Sequence, residues 1–234
     1  MTYLKGQERA AYVRAMFGRI APRYDLMNRL MTGRQDAAWR RLAVNEAQLP
    51  PGGRLLDVAT GTGDIALQAS QTDSDALVAG VDFTSEMLRL GQAKPGAEMI
   101  RWTCADALHL PFPANSFDAV ISGFLMRNVA DIAAALAEQR RVIRPGRRVV
   151  CLEISCTSVP LFKHLFRFYF YHLVPLIGGL ISGNPEAYTY LPNSLTEFLT
   201  ADELANVMRS VGLQQVRYRR LMWGTVAIHV GIKA

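Results

Sequence analysis

The sequence is poor in cysteine. Only three of its 234 residues are cysteines, Cys104, Cys151 and Cys156, and none lies in a CxxC motif or at a metal-ligand spacing from a histidine. An odd number of unpaired cysteines is typical of a protein from a reducing compartment, where thiols stay reduced. We therefore expect no disulfide bond and no metal site. Because no signal sequence is visible, we also expect a cytoplasmic location.

Long uninterrupted apolar runs are absent as well. The best candidate, residues 159–182, is broken by Lys163, Arg167 and Pro175, whereas a membrane-spanning helix needs about 18 or more apolar residues. We therefore expect a protein that is soluble or lies on a membrane. Basic residues are interspersed among aromatic ones in this stretch, which fits either a buried core helix or an amphipathic lid on a bilayer. We favour the lid, with peripheral contact at the inner face of the membrane.

The sequence also lacks a concentrated run of positive charge. The formal net charge is +6, but the basic residues are spread along the chain apart from a small group of arginines within 140–148. A nucleic-acid-binding surface usually has a continuous basic stripe with interleaved aromatic residues. We therefore expect no nucleic-acid partner.

Apolar residues, in contrast, fill 50% of the positions. That is enough for one large core, so we expect residues 1–234 to form a single domain. A helical pattern over residues 7–49 defines an N-terminal helical region, 1–50, which ends at a Pro/Gly break. Short apolar strands then alternate with helices, which predicts a mostly parallel sheet with helices on both faces. The first five predicted strands are residues 54–59, 76–82, 98–104, 117–122 and 148–154.

The last third of the chain departs from this alternation. Residues 156–196 are aromatic and interrupted by prolines, and we expect them to form an insertion or substrate lid. A helix is predicted at 200–211, where Thr200 and Glu203 have the spacing of a capping box. Two final strands, 214–221 and 225–232, are close enough for an antiparallel hairpin that completes the sheet of an α/β fold.

A glycine-rich turn follows the first predicted strand. Gly61 and Gly63 fit the GxGxxA pattern, so a dinucleotide site is one interpretation. Glycines here leave the backbone open to a ligand, and the next helix begins with free N–H groups. A pyrophosphate prefers neutral or positive surroundings, however, and Asp57 and Asp64 flank this turn. We therefore favour a cationic ligand such as S-adenosylmethionine, which carries a sulfonium and an ammonium group.

Two more acidic residues end the next predicted strands. Asp82 is placed to accept hydrogen bonds from both ribose hydroxyls through its two oxygens. Asp106 would hold the adenine amino group, with Ala107 against the ring. A single Asp at a strand end more often caps a turn. Asp57, Asp82 and Asp106 at successive strand ends favour one ligand site at the carboxyl edge of the sheet.

Several longer segments resemble a known family. Class I, or Rossmann-like, methyltransferases have motifs similar to DVATGTGD at 57–64, VDFT at 81–84 and CADALHLPFPANSFD at 104–118. More narrowly, the chain resembles the ubiquinone/menaquinone biosynthesis C-methyltransferases in YDLMNRLMTGRQDAAW at 24–39 and RVIRPGRRVVCLEIS at 141–155. Further likeness in AYTYLPNSLTEF at 187–198 and GTVAIHVGIK at 224–233 extends the resemblance over nearly the whole chain.

The chain also departs from the family pattern. Thr32 stands where Ser is usual, Asp36 where the family has His, and FLMRN where FGLRN is typical. Position 36 is expected to face the substrate pocket. Asp36 is therefore the departure that we expect to bear on substrate choice.

The resemblance implies a class I methyltransferase sheet, S-adenosylmethionine as cofactor, and methylation of a ring carbon of a polyprenylated quinol. The quinol would be demethylmenaquinol or a related benzoquinol. Together, the motifs and the resemblance predict a donor site composed of Asp57, Ala59, Gly61, Thr62, Gly63, Asp82, Phe83, Met87, Asp106, Ala107 and Ser122.

Arg127 and Asn128, after the fourth predicted strand, are expected to stabilise the phenolate that forms when the quinol attacks. Tyr24 is the third catalytic candidate; an ordinary polar helix start is the alternative for its segment. No histidine is given a catalytic role, because a lone histidine is more often structural. The expected substrate-binding residues are Asp25, Asn28, Phe170, Tyr188 and Tyr190.

Other functions stay open at this point. The same fold could methylate another small lipophilic acceptor, because methyltransferases of this class change substrate through their lids. An NAD-dependent oxidoreductase and a non-catalytic S-adenosylmethionine-binding scaffold are less favoured, and RNA methylation is the weakest option. The sequence also leaves open whether the chain forms a homodimer.

Overall fold

The computed structural model describes residues 6–155, 169, 174 and 199–234. The predicted lid, 156–196, therefore lies outside the described residues except for Tyr169 and Val174. Three helices form the N-terminal region: α1 (Gly6–Ile20), α2 (Tyr24–Thr32) and α3 (Gln35–Ala47). The later helices are α4 (Asp64–Thr72), α5 (Ser85–Gln92), α6 (Ile132–Val142) and α7 (Ala201–Ser210).

Seven strands form one sheet. Their bounds are β1 (Arg54–Val58), β2 (Leu77–Asp82), β3 (Ile100–Cys104), β4 (Phe117–Gly123), β5 (Ile143–Ile154), β6 (Leu213–Leu221) and β7 (Val226–Lys233). The order across the sheet is β3-β2-β1-β4-β5-β7-β6. Neighbours from β3 to β5 pair in parallel, and β7 pairs antiparallel with both β5 and β6. The predicted fold class is confirmed.

The predicted strand bounds agree with the structure to within about two residues, except for β5. This strand begins at Ile143, whereas the sequence predicts a start at 148. Ile143 pairs with Phe117 and Arg148 with Ala119, so the four residues between them bulge out of the ladder. Gly146 lies in this bulge with a φ of 74°. A Pro-Gly pair usually marks a turn, which is why the sequence pattern hides the first part of the strand.

Alternate side chains of the sheet enter two separate cores. Leu55 of β1 packs with α3 and α4 through residues such as Ala43 and Ile65. Its neighbour Leu56 packs on the other face, with Leu136 of α6 and Leu204 of α7. This two-sided burial is typical of parallel strands covered by helices, and it explains the near-continuous apolar runs in their sequences.

The C-terminal elements behave as the sequence predicts. Thr200 and Glu203 form the capping box, with the Thr200 hydroxyl accepting the Glu203 N–H at 3.2 Å. His229 of β7 is buried, and its Nε2 lies 2.9 Å from the carbonyl oxygen of Ala201. Burial lowers the pKa of His229, so the imidazole is a neutral link between β7 and the start of α7.

None of the helices in residues 6–155 and 199–234 combines the length and the hydropathy needed to cross a bilayer.

Gly63, the last residue before α4, is fixed by packing. Its φ is 82°, and a β-carbon there would lie 2.2 Å from Cη2 of Trp102 on β3. The sequence predicts that Gly63 makes room for a ligand. Its missing side chain makes room for an indole ring, and contact of its backbone with a ligand stays a prediction.

We expect Gly63→Ala to reduce the free energy of unfolding by about 2 to 5 kcal/mol, because left-handed strain and overpacking add together. Gly146→Ala is the matched control, since Gly146 has a φ of 74° and nothing within 4 Å of the added β-carbon. The control should lose only the strain, about 1 to 2 kcal/mol. Urea unfolding without ligand measures both variants, and equal losses would contradict the packing argument.

Candidate functional site

A cleft opens at the carboxyl ends of the first four strands. It holds about 890 Å³ of empty space, including the part that opens to solvent. Its floor comes from the residues that follow β1, β2, β3 and β4, and α1 and α2 cover it with Val13, Arg14, Phe17 and Tyr24. The predicted donor residues that line it are Ala59, Gly61, Asp82, Phe83, Met87, Asp106 and Ala107.

Asp82 organises the floor of the cleft. One carboxylate oxygen accepts the N–H of Gly61 at 2.8 Å, and the other accepts the N–H of Thr84 at 2.8 Å. The side chain is buried, and burial raises its pKa. The Thr84 side chain and the Phe83 backbone also act on this carboxylate by hydrogen bonding, and these contacts oppose the effect of burial on its pKa. Asp82 therefore lies at the carboxyl edge of the sheet and lines the cleft, and its contact with the ribose hydroxyls stays a prediction.

Asp106 caps a turn and also lies at the cleft, where its contact with adenine stays a prediction. Its Oδ1 accepts the N–H of Leu108 at 2.9 Å, which caps the turn after β3, and the residue also lines the cleft. Phe83, Met87 and Ala107 make the neighbouring surface apolar. The guanidinium of Arg14 lies 5.2 Å from the centre of the Phe83 ring, so α1 closes this end of the cleft.

Asp57 and Asp64 do not line the cleft, which corrects the argument from charge around the glycine turn. Asp57 is fully buried, and its Oδ2 accepts the Thr60 hydroxyl at 2.6 Å and the Ala66 N–H at 3.1 Å. Burial raises the pKa of Asp57 to about 7. Asp57 therefore braces the turn from beneath.

Asp64 belongs to a group of paired charges that we call the Lys94 network. Nζ of Lys94 lies 2.6 Å from both Asp25 and Asp64, and Arg40 pairs with Asp64 at 2.9 Å and with Asp36 at 2.6 Å. Burial alone would raise the pKa of Asp64, but the charges of Arg40 and Lys94 hold it below its ordinary value. The network ties α2 and α3 to the glycine turn.

Three other predicted donor residues are also turned away from the cleft. Thr62 donates its hydroxyl to Asp25 at 2.6 Å within the Lys94 network. Gly63 faces Trp102, as described above. Ser122 is fully buried between Gln139 and Cys151, at 3.5 Å from each.

Asp36 also lies away from the cleft. It is buried, and it accepts hydrogen bonds from Arg40 at 2.6 Å and from Thr32 at 3.0 Å. The two departures from the family pattern at positions 32 and 36 therefore contact each other inside the Lys94 network. Position 36 does not line the cleft at the strand ends, and together with Arg40 and Asp64 it lines a separate surface cavity.

Only one of the N-terminal candidates reaches the cleft. Tyr24 lines it and packs edge-to-face on Phe17, with ring centres 6.0 Å apart. Asp25 points into the Lys94 network. Asn28 is half-buried outside the cleft lining, where its carbonyl accepts the Thr32 hydroxyl at 2.7 Å. Neither forms a cleft wall, which corrects their assignment. The other expected substrate residues, Phe170, Tyr188 and Tyr190, lie outside the described residues.

Asn128 and Arg127 follow β4, and they lie at different distances from the cleft surface. Asn128 lines the cleft and donates its Nδ2 to the Phe124 carbonyl at 3.1 Å. Arg127 is 7% exposed and lies behind the lining, with its guanidinium 5.6 Å from the Phe124 ring centre. Within the described part of the chain, Oδ1 of Asn128 and Nε and Nη1 of Arg127 have no hydrogen-bond partner.

Glu153, near the end of β5, is a residue that sequence reasoning missed. It is fully buried, and its Oε1 accepts the N–H of Met126 at 2.7 Å. Its Oε2 lies 3.9 Å from Nη1 of Arg127. Burial raises the pKa of Glu153 to about 7, although the charge of Arg127 opposes this shift. The available signal was an acidic residue within an apolar strand, which is rare without a partner.

The known proteins that are similar to this chain in sequence over most of its length include methyltransferases. The model of the ubiE/COQ5 methyltransferase family matches residues 2–233. A demethylmenaquinone methyltransferase of Roseiflexus castenholzii is 46% identical over 226 residues, covering 97% of this chain and 95% of that protein. The ubiquinone/menaquinone biosynthesis C-methyltransferase UbiE of a Geobacter species is 44% identical over 231 residues, covering 97% and 98%.

Solved structures agree on the fold. A SAM-dependent methyltransferase of Thermotoga maritima, described as a possible histamine N-methyltransferase, superposes with a TM-score of 0.69 over 95% of this chain and 100% of that one. The two sequences are 17% identical, so this likeness concerns the fold alone.

Proposed function

The chain belongs to the ubiE/COQ5 methyltransferase family, and from this premise we propose that it methylates a ring carbon of a polyprenylated quinol with S-adenosylmethionine as donor. The acceptor is demethylmenaquinol or a related benzoquinol. The observation that carries the proposal is the cleft at the strand ends, in which Gly61, Asp82 and Asp106 meet Tyr24 and Asn128. The names of the two curated relatives support the acceptor class.

The residues at the strand ends fit the donor. Asp82 brings a buried carboxylate to the cleft lining, and a carboxylate suits the two ribose hydroxyls as their hydrogen-bond acceptor. Gly61 presents backbone to the cleft, since the nearest atom to an added β-carbon is Cε1 of Tyr24 at 3.9 Å. Phe83, Met87 and Ala107 provide the apolar surface for adenine, and Asp106 lies beside them. When bound, S-adenosylmethionine supplies an electrophilic methyl group on its sulfonium.

Arg127 and Asn128 are proposed to activate the acceptor. A quinol ring carbon becomes nucleophilic when the neighbouring hydroxyl loses its proton. Asn128 lines the cleft and can hydrogen-bond the acceptor hydroxyl, while the charge of Arg127 behind it favours the phenolate once solvent has taken the proton. Tyr24 and the covering helices orient the ring and exclude water, effects worth about 7 to 11 kcal/mol in favourable cases.

Peripheral membrane contact is part of the proposal. Leu26 and Leu30, one turn apart on α2, are each 50% exposed, while Met27 on the same helix is buried. Arg29 is exposed between the two leucines. An apolar pair beside a positive charge suits an anionic lipid surface. The cytoplasmic location and the homodimer stay predictions.

A direct test uses donor with a trideuterated methyl group and reduced, short-tailed prenyl naphthoquinol and benzoquinol as acceptors. We expect the label on a ring carbon of at least one quinol, detected by mass spectrometry of the extracted product. Binding of S-adenosylhomocysteine without transfer to either quinol would indicate a different acceptor or a scaffold. Tight binding of NADH in its place would indicate an oxidoreductase.

Asp82→Asn should weaken binding of S-adenosylhomocysteine about tenfold to a hundredfold, because a charged acceptor of the ribose hydroxyls is lost. Asp131→Asn is the matched control: Asp131 is an exposed N-cap of α6, and Asn caps a helix as well as Asp does. Calorimetric titration gives both dissociation constants. Equal affinities in the two variants would remove Asp82 from the donor site.

Arg127→Gln should lower the single-turnover rate about a hundredfold to a thousandfold while leaving donor affinity nearly intact, as when one oxyanion donor is removed. Arg219→Gln, at an exposed position of β6, makes the same change away from the cleft and should keep the wild-type rate. Melting temperature is measured on the same preparations. A parallel loss of stability and donor affinity would show that Arg127 is only structural.

A further inference from the structure

The loop between β4 and α6 is held from below by β5. The N–H of Phe124 donates to the carbonyl of Leu152 at 2.7 Å, and the N–H of Met126 donates to Oε1 of Glu153 at 2.7 Å. Phe124 has a φ of 57°, a conformation that non-glycine residues rarely adopt unless their surroundings impose it. Glu153 therefore helps to impose the shape of the loop that carries Arg127 and Asn128.

The other oxygen of Glu153 is unusual for a buried carboxylate. Oε2 has no hydrogen-bond partner among the described residues, and neither do Nε and Nη1 of Arg127, although Oε2 and Nη1 are only 3.9 Å apart. At this distance the charges attract without a direct hydrogen bond. Buried charges with incomplete hydrogen bonding are unfavourable for folding, so this arrangement is not explained by stability.

We propose that Glu153 is a positioning residue for methyl transfer: Oε1 shapes the loop 124–128, and Oε2 holds the Arg127 guanidinium behind Asn128 with Nε and Nη1 still free. This inference rests on the proposed function. A direct hydrogen bond to Glu153 would occupy the N–H groups of Arg127, whereas the longer contact holds the cation and leaves them available. The carboxylate thus sets where the positive charge stands relative to the acceptor.

The ionisation of Glu153 provides a signature for this role. Among the described residues, the titratable or charged groups that act on it are Arg127, from the loop after β4, and Cys151 on its own strand; the facing residue on β7 is Ala227. The pKa of Glu153 is about 7 in the folded protein, against an ordinary 4.5. Its contribution to stability is therefore present below about pH 4.5 and is lost as the pH rises to about 7.

The test compares the wild type with Glu153→Gln, which keeps an oxygen for the Met126 N–H but carries no charge. We expect the single-turnover rate at about pH 8 to fall about tenfold to a hundredfold, as when a group that supports a reactive residue is removed. Affinity for S-adenosylhomocysteine should stay unchanged. The inflection near pH 7 in the wild-type rate profile should disappear, and Glu153→Asp, which restores the charge, should recover part of the rate and the inflection.

A second measurement does not depend on turnover. In urea unfolding, Glu153→Gln should gain stability relative to the wild type as the pH rises from about 4.5 to about 7, because only the wild type must ionise a buried acid. Glu46→Gln is the control: Glu46 pairs with Arg217 on the protein surface, outside the cleft lining, and its removal should change neither the rate nor this pH dependence.

The outcomes separate the two proposals. An unchanged rate in Glu153→Gln, or a loss of rate matched by losses of donor affinity and of stability at every pH, overturns the positioning role. Absence of the pH-dependent stability difference also overturns it, whatever the acceptor is. A wild-type chain that binds donor but methylates neither quinol contradicts the proposed function instead.

Discussion

The cleft exists because neighbouring parallel strands end at the same edge of a sheet. Strands β3, β2, β1 and β4 lie side by side in the same direction, so residues that are distant in sequence meet just beyond their carboxyl ends. The hydrogen bond from the Gly61 N–H to Asp82 joins two of these ends directly. Everything proposed for donor binding depends on this edge, and the N-terminal helices act as its cover.

Much of this edge could be predicted, because strand patterns and strand ends are local features of a sequence. Asp82 and Asp106 line the cleft because a residue at or just after the end of a parallel strand lies at this edge of the sheet. The sequence does not show that Asp57 and Asp64 lie outside the cleft lining, because their partners are set by the folded structure. Charge counted along the chain cannot reveal that Asp64 is neutralised by Lys94, thirty residues later.

The remaining errors and omissions have geometric causes. Tyr24 and Asp25 are consecutive on α2, and successive helical residues point about 100° apart; Tyr24 lines the cleft, whereas Asp25 pairs with Lys94. Arg127 and Asn128 are adjacent as well, yet one is buried and the other lines the cavity. Glu153 was missed because a strand pattern counts it as a single polar interruption. The role proposed for Glu153 depends on its contact with the loop that follows β4, the neighbouring strand.

The Lys94 network has a consequence for exchanging residues between relatives. Asp36 compensates Arg40 and accepts the Thr32 hydroxyl in a buried position. The family's usual histidine at position 36 would remove that negative charge and leave the guanidinium of Arg40 with Asp64 alone. Because residues in contact usually do not contribute additively, we expect the three positions to be coupled, and a chimera should transplant Thr32, Asp36 and Arg40 together.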